Sequence, residues 1–418
     1  MKKCELGTFL TILTAATLLL YAFFYHLITA VLGDRFAYLL FGVGYASMML
    51  FVLVRKKLKT QKMALGWLVI LVLSLIRNQR LESGSIIQTV YSCEVMLFAI
   101  LMSRESGWSK KVVEFMTSLG LVHVFATLLF FITIPMGLYN QVMVPVYGVA
   151  PVGTEGGIMG FRAGLTSHNS TNGIYCSLTF LLLWFQYKNE TSKKNKKTLF
   201  LLMLLSLAAL ILSMKRAHLL FSLCAIAIQY CICSNQKDKH IKALIALVAV
   251  CVILFVVASL VPNMGGVLDR FFKDDDGDIS SGRFAMWQLA FSLFANHPVF
   301  GIGWFGYRYE YARYFRLSSR YVYNDTHNIY LQLLCETGII GALFVITFLF
   351  RVLARTIKYG KQASYSNSED TVVQLSIAYQ IFVLLVGLTG NPLYDVMFIF
   401  YVLICAMGMS MNANALQT

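Results

Sequence analysis

The side chains in this 418-residue chain best suited to chemistry are a few cations and imidazoles beside apolar runs. Arg162 lies in Gly160-Phe161-Arg162-Ala163-Gly164-Leu165-Thr166-Ser167-His168-Asn169, and Lys215 with Arg216 fills a tight turn between two apolar stretches. Arg283 follows Ser281-Gly282, with Trp287 four residues on, and His327-Asn328 introduces a long apolar run. Charge at the edge of hydrocarbon is costly unless it faces a polar cavity or a ligand, so each position is a functional candidate. Each also has a plainer reading. Lys215 and Arg216 fit an interfacial anchor with charges snorkelling to water, Arg283 fits a partner of the Asp274–Asp278 run, and His327 fits a helix-end residue bonded to backbone.

Other patterns narrow the chemistry by failing. If Gly277 were the turning glycine of a calcium-binding EF-hand, Phe272 would fall at the first ligand position and Arg283 where the closing glutamate belongs. The acidic run therefore reads as a solvated turn. There is no H-E-x-x-H, no G-x-S-x-G and no phosphate-binding Gly-Lys-Ser/Thr pattern, so the standard soluble hydrolase and ATPase mechanisms lose support. Between Trp304 and Tyr323, aromatic residues alternate with Arg308, Arg313, Arg316 and Arg320. That pattern suits an aromatic belt at headgroup depth, or a surface that stacks on sugars while arginines hold acidic groups. His26 and His123, both within apolar runs, read as core histidines. The nine cysteines fall mostly in apolar runs and read as packing residues.

The elements that must position these residues are membrane spans. The chain is 58% apolar and only 13% charged, with a mean hydropathy of +0.68, against about 25% charged for soluble domains. Apolar segments near 9–32, 36–54, 63–76, 86–102, 112–138, 173–187, 198–214, 217–233, 241–261, 329–350, 371–389 and 393–410 predict an all-α polytopic protein of about twelve spans. The third and sixth segments are short for a crossing. Connections alternate in charge, and the side rich in Lys and Arg is assigned to the cytoplasm, which puts both termini inside. The +15 net charge is then mostly a topology signal and does not call for nucleic acid. Three regions result: 1–261 with nine spans and an outward loop at 139–172, a large outward loop at 262–328, and 329–418 with three spans. Within the large loop, Ser280 to Asn296 reads as an amphipathic helix ended by His297-Pro298.

The succession Ser281-Gly282-Arg283-x-x-x-Trp287, His297-Pro298-Val299-Phe300-Gly301-Ile302-Gly303, His327-Asn328-x-Tyr330-Leu331-x-x-Leu334 and Glu336-Thr337-Gly338-Ile339-Ile340-Gly341 resembles the signature of the O-antigen ligase and O-antigen polymerase superfamily. The likeness covers about 160–172, 213–218 and 281–341. It implies a GT-C-like, inverting, metal-independent glycosyltransferase of the bacterial inner membrane with no cofactor, taking undecaprenyl-diphosphate-linked glycans as donor and acceptor at its outer face. Such a reaction needs a base for the acceptor hydroxyl and a clamp for the departing diphosphate. By motif, His327 is the base or acceptor-positioning candidate. Arg216 and Arg283 are the diphosphate binders, and Arg162, Lys215, Trp287 and Asn328 are further substrate contacts. His168 departs from the pattern, in which many relatives carry a Pro before the Asn. The resemblance fits a repeat-unit polymerase for capsule, exopolysaccharide or O-antigen, working with a flippase and a chain-length regulator. The alternative is a ligase that hands a finished glycan to an acceptor, which shares every motif; the polymerase comes first because Lys dominates the cytoplasmic loops and no feature points to a lipid A acceptor. A flippase or transporter would share the span count but would require a polar midplane pathway and Gly/Pro-broken helices in matched halves, and charge here collects at one face.

Overall fold

The structure, a computed structural model, describes residues 3–55, 62–78, 83–147, 163–260, 282–315, 324–362 and 369–415. Arg162, the Asp274–Asp278 run, Ser281, Arg316 and Arg320 lie outside the described residues. All regular structure among the described residues is helical. The first half comprises α1 (Lys3–Leu32), α2 (Asp34–Val54), α3 (Lys62–Arg77), α4 (Ser83–Leu101), α5 (Ser109–Ile132), α6 (Leu138–Tyr147) and α7 (Asn169–Asn189). The second comprises α8 (Lys193–Leu212), α9 (Arg216–Cys233), α10 (Lys239–Leu260), α11 (Arg283–Asn296), α12 (Gly306–Tyr314), α13 (Ile329–Gln362), α14 (Glu369–Val386) and α15 (Met397–Ala415).

Every expected apolar segment lies on one of these helices, and α6, α11 and α12 are additional short ones. By length and composition α1, α2, α5, α8, α9 and α13 are able to cross a membrane, and α3, α4, α14 and α15 contain shorter apolar stretches. Leu39, Leu53, Leu73, Ile76, Ile132 and Leu201 are exposed, as lipid-facing side chains would be. This is an integral membrane protein.

Cross-links sort the connections into two ends of one bundle. At one end Arg55 pairs with Glu105, Thr8 donates to the Ser106 carbonyl (3.1 Å), Ser109 bonds Ser410 (2.8 Å), and Lys188 donates to Gln374 (2.9 Å). At the other, Arg77 donates to the Gly301 carbonyl (2.5 Å), Arg308 to Gln88 (2.6 Å), and His26 bonds Ser167 (2.6 Å).

Several boundaries move for local reasons. The fifth segment ends at Ile132 instead of 138, because Pro135 and Gly137 (φ +62°) make a 3-10 turn before α6. The sixth starts at Asn169, not 173: the His168 imidazole caps α7 by accepting from the Ser170 N–H (3.1 Å). Asn172 through Leu183 are buried on every face, so α7 is the central helix and its polar first turns sit inside protein. Helix α11 starts at Arg283 behind Gly282 (φ +78°), and it packs through Met286, Leu289 and Ala290 while Phe284 and Phe291 face outward.

Helix α13 runs to Gln362 but is kinked at Gly338, whose φ/ψ of 65°/−174° is non-helical. The segment 298–303 docks into that kink. Ile339 N–H donates to the Pro298 carbonyl (2.8 Å), Ile302 N–H to Cys335 (2.9 Å) and Gly303 N–H to Glu336 (2.9 Å). A Cβ at Gly301 would lie 2.3 Å from the Glu336 carbonyl, and one at Gly338 would lie 2.3 Å from that of Val299. The two glycines, both at positive φ, are therefore required where two backbones touch.

Candidate functional site

Four helices begin at one end of the bundle, the end where Arg77, Arg308 and His26 make their cross-links. Their caps are His168 (α7), Lys215 (α9), Gly282 (α11) and Asn328 (α13). A helix N-terminus carries about half a positive charge, so such a convergence favours an anion even though the first N–H groups of α13 are taken by Asn328 and the Gly387 carbonyl. The chain adds cations there, since Arg216 and Arg283 are the first residues of α9 and α11. The Lys215 stem lies across Gly173 on α7, where a Cβ would come within 2.9 Å of it.

His327 sits in the turn that enters α13. Its φ of +53° is left-handed, uncommon for a residue with a Cβ and a mark of a turn held by its surroundings. Those surroundings are visible. The Thr326 hydroxyl donates to the Asn328 carbonyl (2.7 Å), the Asn328 carboxamide oxygen accepts from Tyr330 and Leu331 N–H (3.1 and 3.2 Å), and Trp287 Nε1 donates to the Thr326 carbonyl (3.0 Å). Asn328 thus caps α13, and Trp287 ties α11 to the turn. The half-buried imidazole of His327 makes no hydrogen bond to the described residues. Burial, then the Arg283 charge, hold its pKa below the ordinary 6.5; the Asp325 carboxylate opposes them and Lys215 adds to the lowering. His168 is lowered by burial, Lys215 and His327 in turn. The two imidazoles, Lys215 and Arg283 therefore share one electrostatic environment.

Below the turn lies a buried polar network. Arg308 grips Asp325 through two parallel bonds (2.8 and 2.7 Å) and also donates to Gln88 on α4. Burial by itself would weaken the guanidinium's hold on its proton, but Asp325 more than offsets it, and the Asp325 carboxyl is drawn below its ordinary range despite its own burial. Gln332 donates to Asp325 (2.8 Å) and to Glu336 (3.2 Å), and accepts from Thr326 N–H (3.1 Å) and from Asn391. Glu336 accepts the N–H groups of Phe305 (2.9 Å) and Tyr307 (3.1 Å), which fastens the start of α12 to α13. Phe305 needs such a fastening, since its φ of +65° is also left-handed.

Residues 201–346 match the O-antigen ligase family. These residues form an O-antigen ligase domain. Members of that family are glycosyltransferase-like enzymes acting on lipid-linked glycans. No curated protein matches the chain. The ligase domain holds Lys215, Arg216, Arg283, Trp287, His327 and Asn328 together with the Arg308–Asp325 network, while His26 and His168 lie before it.

The structure brings together His327, Arg283 and Lys215 as the sequence suggested. Arg216 is exposed at the start of α9, and Trp287 and Asn328 are engaged in building the turn. The aromatic stretch proves to be partly core. Trp304, Phe305 and Tyr307 are buried, Trp304 stacks on Tyr394 (4.5 Å between centroids), and Arg308 is ion-paired instead of reaching for a ligand. Asp325 and Gln332 were not singled out from sequence, and Glu336 entered only as part of a motif, with no role. Their spacing of seven and four residues, on one face of a helix entrance, was the available signal.

Proposed function

We propose that this protein is an outer-face glycosyltransferase that polymerises undecaprenyl-diphosphate-linked repeat units of a surface polysaccharide. The observation that carries the reading is that Lys215 and Arg283 act together on His327, an imidazole with no hydrogen bond among the described residues, where helices α7, α9, α11 and α13 begin. An acceptor sugar hydroxyl attacks the anomeric carbon of the donor from the face opposite the diphosphate. The new C–O bond forms as the bond to the diphosphate oxygen breaks, the hydroxyl proton passes to the imidazole, and the configuration inverts. An imidazole held below its ordinary pKa is neutral at pH 7 and free to accept that proton. The departing diphosphate carries charge that the helix ends and cations already face, the service a divalent cation gives in other phosphate-releasing enzymes. In this reading all twelve segments cross the inner membrane, the termini are cytoplasmic, and a flippase delivers the donor.

The test is reconstitution with purified lipid-linked oligosaccharide. Wild-type protein should extend chains in steps of one repeat, and His327→Ala should lower the rate about 100-fold or more. Arg283→Lys should not restore the wild-type rate, because an ammonium cannot hold two phosphate oxygens at once. Transfer of a single block to a distinct acceptor, with no chain growth, would replace polymerase by ligase. Undiminished synthesis by His327→Ala would remove the histidine from the reaction.

A further inference from the structure

His26, expected to be a satisfied core histidine, is partly buried and bonded at both ring nitrogens. It projects from the C-terminal half of α1 to the segment before α7, where its Nδ1 is 2.6 Å from the Ser167 hydroxyl and its Nε2 is 3.3 Å from that of Thr171. The neighbouring residue, His168, caps α7 through its Nδ1 and so carries its proton on Nε2, a donor with no partner among the described residues. The turn that holds Ser167 and His168 is fixed from several sides. Tyr147 donates to the Leu165 carbonyl (2.6 Å), and the Thr166 hydroxyl donates to the Ala163 and His168 carbonyls (2.7 Å each). Asn172 bonds Thr127 on α5 (3.0 Å), and at Gly164 (φ +53°) a Cβ would strike both of them. The Lys215 stem rests on Gly173, five residues after His168, and its charge acts on both His168 and His327.

We infer that His26, Ser167, Thr171 and His168 form a sugar-binding subsite beside His327 that receives hydroxyl groups of the lipid-linked glycan. The chemistry of the set favours a sugar over a phosphate. A phosphate oxygen only accepts, and the cations at Lys215 and Arg283 already suit it. With both ring nitrogens of His26 engaged, the Ser167 and Thr171 hydroxyls keep further donor and acceptor capacity and His168 Nε2 adds a donor, and a polyol requires such a mixture. The Ser167 and Thr171 side chains are only partly buried. None of the four residues falls within the O-antigen ligase domain, so the subsite adds to what that domain supplies. The identity of the glycan carrier rests on the function proposed above.

Binding to the full-length protein in nanodiscs separates the two ideas, with bare undecaprenyl diphosphate and the same lipid bearing an oligosaccharide as probes. Wild-type protein should bind the glycosylated lipid more tightly. Ser167→Ala and His26→Gln should each weaken that binding about tenfold while leaving the bare lipid's affinity unchanged, which also certifies the fold of the variants. Arg283→Gln should weaken both. Equal loss for both probes in Ser167→Ala and His26→Gln, or no loss for either, overturns the subsite. So does a wild-type protein that does not prefer the glycosylated lipid. If Arg283→Gln changes neither affinity, the diphosphate reading fails independently, and a protein that binds neither probe ends both.

Discussion

Replacing Asp325 by Asn is the sharpest probe of how the candidate site is held. The Arg308 and Asp325 side chains are only 13% and 19% exposed, and their two-pronged contact is extended by Gln88 and Gln332. Removing one member of a buried pair leaves the other charge uncompensated, at about 3–5 kcal/mol. Partial exposure selects the lower end, about 3 kcal/mol, or about a hundredfold in the unfolding equilibrium. Arg308→Gln should cost about the same for the mirror-image reason. The double variant strands no charge and should cost about 3 kcal/mol in total, a coupling of about 3 kcal/mol between the sites.

The assay is denaturant unfolding in mixed micelles, followed by tryptophan fluorescence, since Trp287 bonds the turn and Trp304 packs above the network. Single costs that add to within about 0.5 kcal/mol would refute the coupling, and with it the claim that this pair braces the His327 turn. The contribution also has a pH signature. Asp325's folded pKa lies below its ordinary 3.8, so its stabilisation is fully present above that value and is lost as pH falls through the lower folded one. A neutral-pH loss of stability in the wild type would not come from this pair.

Because burial and Arg283 lower the pKa of His327, the acid limb of kcat/KM should fall below pH 6.5, and Arg283→Gln should move that limb upward. An unchanged limb would separate the two residues electrostatically. Gly301→Ala and Gly338→Ala should each abolish monodisperse protein in detergent size-exclusion, since positive φ and a 2.3 Å backbone overlap combine. Wild-type elution profiles would contradict the docking of 298–303 into the kink. Gly173→Ala should displace the Lys215 stem and lower affinity for undecaprenyl diphosphate several-fold with an unchanged elution profile. Unaltered affinity would place Lys215 outside the anion site.

The helical framework was legible because lipid imposes long apolar runs, and those runs survive even in the short α3. Less legible was α7, whose entrance Asn169-Ser170-Thr171-Asn172 looks like a loop yet is helical and partly buried, leading into residues 172–183 that are buried on every face, where neighbouring helices and not lipid satisfy Asn172. The cations at 215, 216 and 283 were visible from sequence because charge beside hydrocarbon is conspicuous. The ion pair at 308 and 325 was not, because an arginine among tyrosines looks the same whether it awaits a ligand or already has a partner. The partners of His26 were hidden for a related reason, since the serine and threonine that engage it lie 141 and 145 residues away. Local pattern carries no trace of a contact at that range.

The break in α13 has a mechanical consequence. From Ile339 to Gln362 the helix is about 36 Å long, enough to cross a hydrocarbon layer of about 30 Å unaided. The nine residues from Ile329 to Thr337 are surplus to that crossing. They are mostly buried in protein, whereas Ile339, Ile340, Leu343 and Phe344 are exposed. Helices meet changes in bilayer thickness chiefly by tilting, and at the kink the segment 298–303 holds α13 from both sides of Gly338, so the part above has protein contacts that oppose any swing. The upper piece, clamped by Glu336 and capped by Asn328, then stands as a fixed post on a compliant stem. The height of His327 over the lipid is thereby set by protein contacts, and acyl-chain length in the surrounding membrane has little purchase on it.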